Sequence, residues 1–431
     1  QEMSPTLTGV VCLVALLVLV FVRMPIGFAM ALMGFVGFAY VTSIDSALGM
    51  VGIEPFATLS KYTWGAIALF ILMGQFAFRA GIVERLYRAV DRWVGPLPGG
   101  LGMATVVACA GFSAVSSSSV ATAATMGAVA LPEMKKYNYD RRLATGCVAA
   151  GGTLGILIPP SGNMILYGIL TETSIGDLFL AGIVPGVILT AMFVATVFFQ
   201  AVRNPKVAPR GASWDMREKL ASLPGVIDMV LLIVLVLGGL WGGLFTPNEA
   251  GAVGAAGALV IALARRKMGL RDFFDAVLDT VRLTGMILTI VIGTMVFNRF
   301  LTLSQLPNEL ASFVDSLSIS PTLIIIAILV MYIILGSVFD TVASVMLTVP
   351  ILFPVIVALG IHPIWFGVAL TVTVEMGLIT PPIGVNVFVI GGVAPDVPLS
   401  EIFRGIVPFL IPMILLLALL VIFPQIALVF A

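Results

Sequence analysis

Two proline pairs constrain this chain more than any other feature. Gly155-Ile-Leu-Ile-Pro159-Pro160-Ser-Gly162 returns 222 positions later as Gly377-Leu-Ile-Thr-Pro381-Pro382-Ile-Gly384, and the segments leading into them, Ala114–Gly155 and Gly336–Gly377, echo each other at that offset. The same offset aligns Pro25 with Pro247 and Pro132 with Pro354. Adjacent prolines lack N–H donors and clash with the turn before them, so no regular helix runs through either pair. Hydrophobic residues make up 60% of the chain and charged residues 10%, against about 45–50% and 25% in soluble domains. Apolar runs such as residues 9–22 and 406–423 approach the roughly 20 residues that cross a bilayer. The chain is therefore read as an all-α polytopic membrane protein. In a bilayer a broken helix persists only where protein or a wet cavity covers the freed backbone. Paired breaks in matching halves mark the binding site of a transporter.

Hydropathy places first-half spans near residues 7–22, 25–42, 64–80 and 179–202, with a broken helix at about 143–170. The second half repeats this near 226–244, 248–264, 283–300 and 405–428, with a broken helix at about 363–393. Two further stretches with polar centres, about 102–135 and 322–357, fit either one long span or a re-entrant hairpin, and charge decides between them. Read as hairpins, they leave every Lys and Arg except Lys61 and Arg299 on one face, which the positive-inside rule makes cytoplasmic. Each half then has five spans. Residues 1–202 and 223–431 become two inverted repeats joined by a cytoplasmic linker, 203–222, with both termini periplasmic. Segments 43–63 and 265–282 mix charged and apolar residues and are expected to lie along the membrane surface.

The polar residues of the hairpins and breaks are the candidates for chemistry. Sodium is a hard cation, and broken helices offer it unwound carbonyls, helix ends and hydroxyls. One candidate cluster joins Ser116, Ser117, Ser118, Ser119 and Thr122 to Gly151, Gly152, Thr153 and Gly155 and to Pro160–Asn163. The other joins Gly336, Ser337, Asp340 and Thr341 to Thr373, Gly377, Thr380 and Asn386. The offset pairs Ser118 with Asp340 and Ser119 with Thr341. Small hydroxyl residues also let helices pack closely; their symmetric placement beside two proline breaks favours an ion site. Asp340 is the single carboxylate in a hairpin centre, and an intramembrane acid is costly enough to suggest a role: cation ligand, substrate contact, ion pair or helix cap. Glu375 is a weaker case of the same kind. Ser113, Ser116, Asp340 and Arg299 are the substrate candidates; Arg299 is equally explained as an anchor that snorkels to the interface.

Other chemistries find little here. Net charge is zero, which gives no reason to expect a nucleic-acid partner. Cys12, Cys109 and Cys147 lie in apolar segments and read as small hydrophobes. His362 is the single histidine, so sodium is the one metal expected. No phosphate-binding loop occurs, no cofactor is expected, and the chain is not read as an enzyme.

The run Gly152-Thr-Leu-Gly-Ile-Leu-Ile-Pro-Pro-Ser161, the segments Ile183-Val-Pro-Gly186 and Phe245-Thr-Pro-Asn-Glu-Ala-Gly251, and Gly377–Gly384 resemble the large membrane subunit of the tripartite ATP-independent periplasmic (TRAP) transporters. The resemblance covers essentially the whole chain; the proline-pair motifs are shared with a wider ion transporter superfamily. It implies an elevator mechanism, in which hairpins and broken helices move against a scaffold of outer spans, with sodium as coupling ion at both hairpin clusters. It also implies two partners in a bacterial inner membrane system: a small four-helix membrane subunit and a periplasmic substrate-binding protein that delivers an organic acid such as sialic acid or a C4-dicarboxylate. The related dicarboxylate symporters carry Ser-Asn-Thr at each tip, where this chain has Ser116–Ser119 and Phe339-Asp340-Thr341. The alternative is a stand-alone sodium/dicarboxylate-type symporter or ion antiporter of the same superfamily.

Overall fold

The computed structural model describes residues 3–316 and 319–430, and every regular element among them is helical. Eight helical stretches among the described residues are long and apolar enough to cross a membrane, counting Arg141–Thr171 and Met216–Trp241 as one stretch each, and four shorter apolar helices accompany them. The first half runs α1 (Pro5–Phe21), α2 (Ile26–Val41), α3 (Ile44–Leu59), α4 (Gly65–Arg79), α5 (Ile82–Val94), α6 (Gly100–Ser116), α7 (Ser119–Lys136), α8 (Arg141–Leu157), α9 (Gly162–Thr171) and α10 (Ile175–Arg203). Residues 102–135 thus form two helices that part at Ser117–Ser118, and the helix expected at 143–170 breaks across the Pro159-Pro160 pair.

In the stretch 203–222, residues 216–222 already form α11 (Met216–Ser222). It leads into α12 (Pro224–Ile233), a π-helical turn at Val234–Gly238 and α13 (Gly239–Trp241). The second half continues with α14 (Pro247–Ala264), α15 (Leu270–Ser304), α16 (Leu306–Ser316), α17 (Pro321–Val338), α18 (Thr341–Ala358), α19 (Pro363–Leu378), α20 (Val385–Val393), α21 (Leu399–Ile422) and α22 (Gln425–Leu428). The entry to α14 shows how sequence sets such boundaries. Thr246 caps it, Pro247 occupies the first turn, and Glu249 reaches back to the Thr246 N–H, a capping box with proline where its missing donor costs nothing.

The expected surface helix at 265–282 is not a separate element. Residues 270–282 are the start of the 35-residue α15, because no proline or glycine pair interrupts helical propensity between them and the following span. Its first-half counterpart does break: α3 and the segment Tyr62–Arg79 meet at 59°.

The buried centre is made by α8 and α19, which are covered along nearly their whole lengths. The two hairpins α6–α7 and α17–α18 lie against these helices within one large apolar cluster. A smaller cluster joins α1, α2 and α15 through Leu16, Met30, Phe297 and Phe300 and meets α18 at Leu347 and Ile351. There α2 approaches α15 closely: a Cβ on Gly27 would lie 2.8 Å from the Thr289 carbonyl oxygen.

Candidate functional site

Each hairpin tip meets the broken helix of its own half. At the first, Ser117 adopts the left-handed conformation (φ 52°), and Ser118 caps α7 by accepting from the Ala121 N–H at 3.3 Å. Ser116 Oγ and Thr122 Oγ1 lie 2.6 Å apart, and Thr122 also donates to the Ser118 carbonyl at 2.8 Å. Ser117 Oγ donates to the Pro160 carbonyl at 2.9 Å, which satisfies an oxygen freed by the break. Glycine is needed opposite: a Cβ on Gly155 would come within 2.8 Å of Ser118 O, and one on Gly152 within 2.7 Å of Ala123 Cβ.

The second tip repeats the plan with different groups. Phe339 is extended, and Asp340 caps α18 by accepting from the Ala343 N–H at 2.7 Å. Ser118 with Ala121 and Asp340 with Ala343 are equivalent pairs under the repeat, so one cap is a hydroxyl and the other a carboxylate. The Ser337 carbonyl accepts from Ile383 N–H and Gly384 N–H, both at 3.2 Å. Gly336 and Gly377 face each other so closely that a Cβ on Gly377 would lie 2.6 Å from the Gly336 carbonyl carbon.

Between the tips lies a cavity of about 440 Å³ lined by Ser116–Ser119, Gly162, Asn163, Asp340 and Thr341, with Gln75 and an apolar wall that includes Phe70, Phe78, Phe112 and Leu378. Asp340 is the single charged side chain in this lining. The N-terminal residues of α7, α9 and α18 all reach it, and helix N-termini carry about half a positive charge each.

The two clusters that the sequence presents separately are joined here. Ser119 of the first hairpin donates to Glu375 Oε2 at 2.6 Å, and Thr341 of the second donates to Glu375 Oε1 at 3.4 Å. Asn386, just beyond the second break, donates to Ser119 Oγ at 2.8 Å. Asn163 Nδ2 donates to Thr371 Oγ1 at 2.9 Å, again across the halves. Glu375, ranked below Asp340 on sequence, is 1% exposed and is the hub of this network. Its signal in the sequence is that it is the one charged residue in the run Pro363–Leu378.

Several sequence candidates sit elsewhere. Arg299, expected near substrate, lies outside the cavity lining and donates from Nε to Glu54 Oε2 at 2.8 Å; a largely buried carboxylate on α3 claims it. Ser113 also lies outside the lining and donates to the Cys109 carbonyl of its own helix at 2.6 Å. Thr373 and Thr380 donate within their own segment, to Ala369 and Met376 carbonyls, each at 2.6 Å. No cluster of three or more His, Cys, Asp or Glu side chains occurs among the described residues.

Residues 13–426 match the family described as the tripartite ATP-independent periplasmic transporter, DctM component. The chain belongs to this family. It is a TRAP large permease, a multi-pass membrane transporter subunit and not an enzyme. It is 37% identical over 379 residues to the C4-dicarboxylate TRAP transporter large permease protein DctM of Pseudomonas aeruginosa, covering 88% of each chain. It is 32% identical over 410 residues to the sialic acid TRAP transporter large permease protein SiaM of Vibrio cholerae, covering 94% of each. The fold is shared with the solved Alcanivorax borkumensis YdaH transporter: TM-score 0.63 at 14% identity, over 87% of this chain and 88% of that one.

Proposed function

We propose that this TRAP subunit imports a small organic acid across the bacterial inner membrane in symport with sodium. A periplasmic binding protein delivers the acid, and a small four-helix membrane subunit widens the scaffold. The observation that carries this reading is the charge balance of the cavity: one carboxylate, Asp340, and no lysine or arginine in its lining. An organic acid entering alone would meet a like charge in a low-dielectric site, where repulsion is strong. Three helix N-termini offset part of that charge. The remainder calls for a mobile cation. The unwound carbonyls around Ser117–Ser118 and Pro160, and those around Ser337 and Thr380, are the kind of oxygen set that holds sodium beside such a cavity. Cation and acid then favour each other's binding, which is the coupling a symporter needs.

Substrate size is consistent with a small acid, since about 440 Å³ falls in the roughly 300–1,000 Å³ range of small-molecule sites. The relatives that carry C4-dicarboxylates or sialic acid support the acid class without choosing among its members. Inverted halves, with the hairpins and α8–α9 and α19–α20 as the moving body and α1, α2 and α15 in the fixed scaffold, give the elevator its parts. In this arrangement both termini are periplasmic.

The test is uptake of labelled C4-dicarboxylates and sialic acid into proteoliposomes under an imposed sodium gradient, with and without the binding protein and the small subunit. Uptake that requires sodium and both partners is expected. Uptake driven without sodium would remove the coupling, and uptake by this chain alone would make it an independent symporter.

A further inference from the structure

The charge on Glu375 is not accounted for by the paired tip-and-break sites. Its carboxylate is buried 256 residues away in sequence from Ser119 and 34 from Thr341, yet it touches both. Among the described residues no lysine, arginine or histidine pairs with it. Two hydroxyl hydrogen bonds do not neutralise a full charge, and an uncompensated buried carboxylate is strongly destabilising. A second observation points the same way. Asn386 is fully buried and its Oδ1 has no hydrogen-bond partner, although its Nδ2 holds Ser119. Leaving such a buried acceptor unpaired is costly. The cluster therefore presents carboxylate, hydroxyl and amide oxygens with nothing positive among them. Ser119 and Thr341 also line the central cavity, so they give an ion a route from cavity to carboxylate.

We infer that Ser119, Thr341, Glu375 and Asn386 form a sodium site that ties the two hairpins together across the repeat interface. The inference rests on the sodium-coupled reading above and adds to it a site that belongs to neither half. Ligands from both hairpins are the functional point. An ion held there links the two tips through one carboxylate, so its arrival completes the wall of the cavity and its loss lets the tips separate. Unlike a tip-and-break site, it senses both halves at once.

The experiment measures binding of radioactive sodium to the large and small subunits copurified and placed in nanodiscs. Wild-type complex is compared with Glu375→Gln and Glu375→Asp, each checked for monodispersity and thermal midpoint. The expected result is one fewer sodium equivalent for Glu375→Gln. Glu375→Asp, which keeps the charge but shortens its reach, keeps the equivalent and binds it about tenfold more weakly, about 1.4 kcal/mol. An unchanged sodium count in a folded Glu375→Gln complex overturns the site, as does an unchanged affinity in Glu375→Asp should the first variant not fold. A Glu375→Gln complex that keeps its sodium count while uptake loses its pH dependence overturns it in favour of a proton held on the carboxyl. Absence of sodium binding by the wild type would defeat the coupling reading itself, an outcome separate from the others.

Discussion

At the first hairpin tip the groups facing the cavity are four serines, and the position equivalent to Glu375 is Thr153, whose hydroxyl donates to the Ala150 carbonyl of its own helix at 2.6 Å. At the second tip the equivalents of Ser118 and Thr153 are Asp340 and Glu375, both carboxylates. Backbone geometry differs as well: a left-handed Ser117 closes one tip and an extended Phe339 leads into the other. The halves share their breaks and their glycine contacts, so both can present carbonyl oxygens. They do not share charge. Repeat symmetry thus supplies two tips built alike, and the second half supplies nearly all of the charge.

The sharpest way to break this comparison is to exchange equivalent caps. Asp340→Ala should lower sodium-driven uptake by roughly two orders of magnitude or more, because it removes the single charge in the cavity as well as a cap. Ser118→Ala should lose only the cap, about 1 kcal/mol of local helix stability, and keep uptake within a few fold. Initial rates in proteoliposomes, normalised to inserted protein, decide the matter. Equal losses at the two positions would mean that the halves contribute alike and that charge at Asp340 is incidental.

A second contrast lies at the outer helices, where the halves clasp each other reciprocally. Arg79 of α4 pairs with Asp279 of α15 at 2.7 Å, and Arg299 of α15 pairs with Glu54 of α3 at 2.8 Å. The carboxylates differ in exposure: the Glu54 side chain is 12% exposed, Asp279 is 40% exposed, and Asp279 has Arg282 at 3.7 Å besides. Arg299→Gln strands a buried charge, whereas Arg79→Gln leaves its partner a substitute and water. The thermal midpoint should therefore fall by several degrees for Arg299→Gln and by less for Arg79→Gln, with half-saturating substrate concentration unchanged in both. A tenfold rise in that concentration for Arg299→Gln would restore Arg299 as a substrate contact.

The features legible in the sequence were those set by local rules. Proline pairs end helices wherever they occur, so the breaks at Pro159-Pro160 and Pro381-Pro382 needed no tertiary information. The hairpin tips at Ser117–Ser118 and Phe339–Asp340 followed from polar centres in apolar runs and from the sorting of Lys and Arg. What stayed hidden depended on contacts between distant segments. Glu375 becomes central because Ser119 reaches it from the other half, and no periodicity reports that. Arg299 has the same chemistry whether it faces an acid substrate or Glu54, and only the placement of α3 decides. The fusion of residues 270–282 with the following span was missed for another reason: charge suggested a surface helix, but nothing in the backbone chemistry stops α15.

The smallest effect separates the two helices that precede the hairpins. In α16, Glu309 and Asp315 are exposed. In α5, outside the spanning segments, Asp91 Oδ1 is buried without a hydrogen-bond partner. Burial first, and then the charge of Glu133, push the Asp91 carboxyl up to about 6, against the opposing pull of Arg92. A folded-state value raised above the unfolded one, about 3.9, means that the folded chain binds this proton more tightly. The stabilisation that protonation brings is complete below the unfolded value and is lost as pH rises through about 6. At pH 8 an ionised Asp91 is therefore a local burden on α5, and Asp91→Asn should raise the thermal midpoint by a degree or two. The gain should shrink as pH falls below about 6 and nearly vanish only below about pH 3.9, where the carboxyl is neutral in the folded and the unfolded chain alike. Thermal unfolding of both proteins across that pH range makes the comparison, and a gain independent of pH would assign the effect to packing and leave α5 and α16 electrostatically alike.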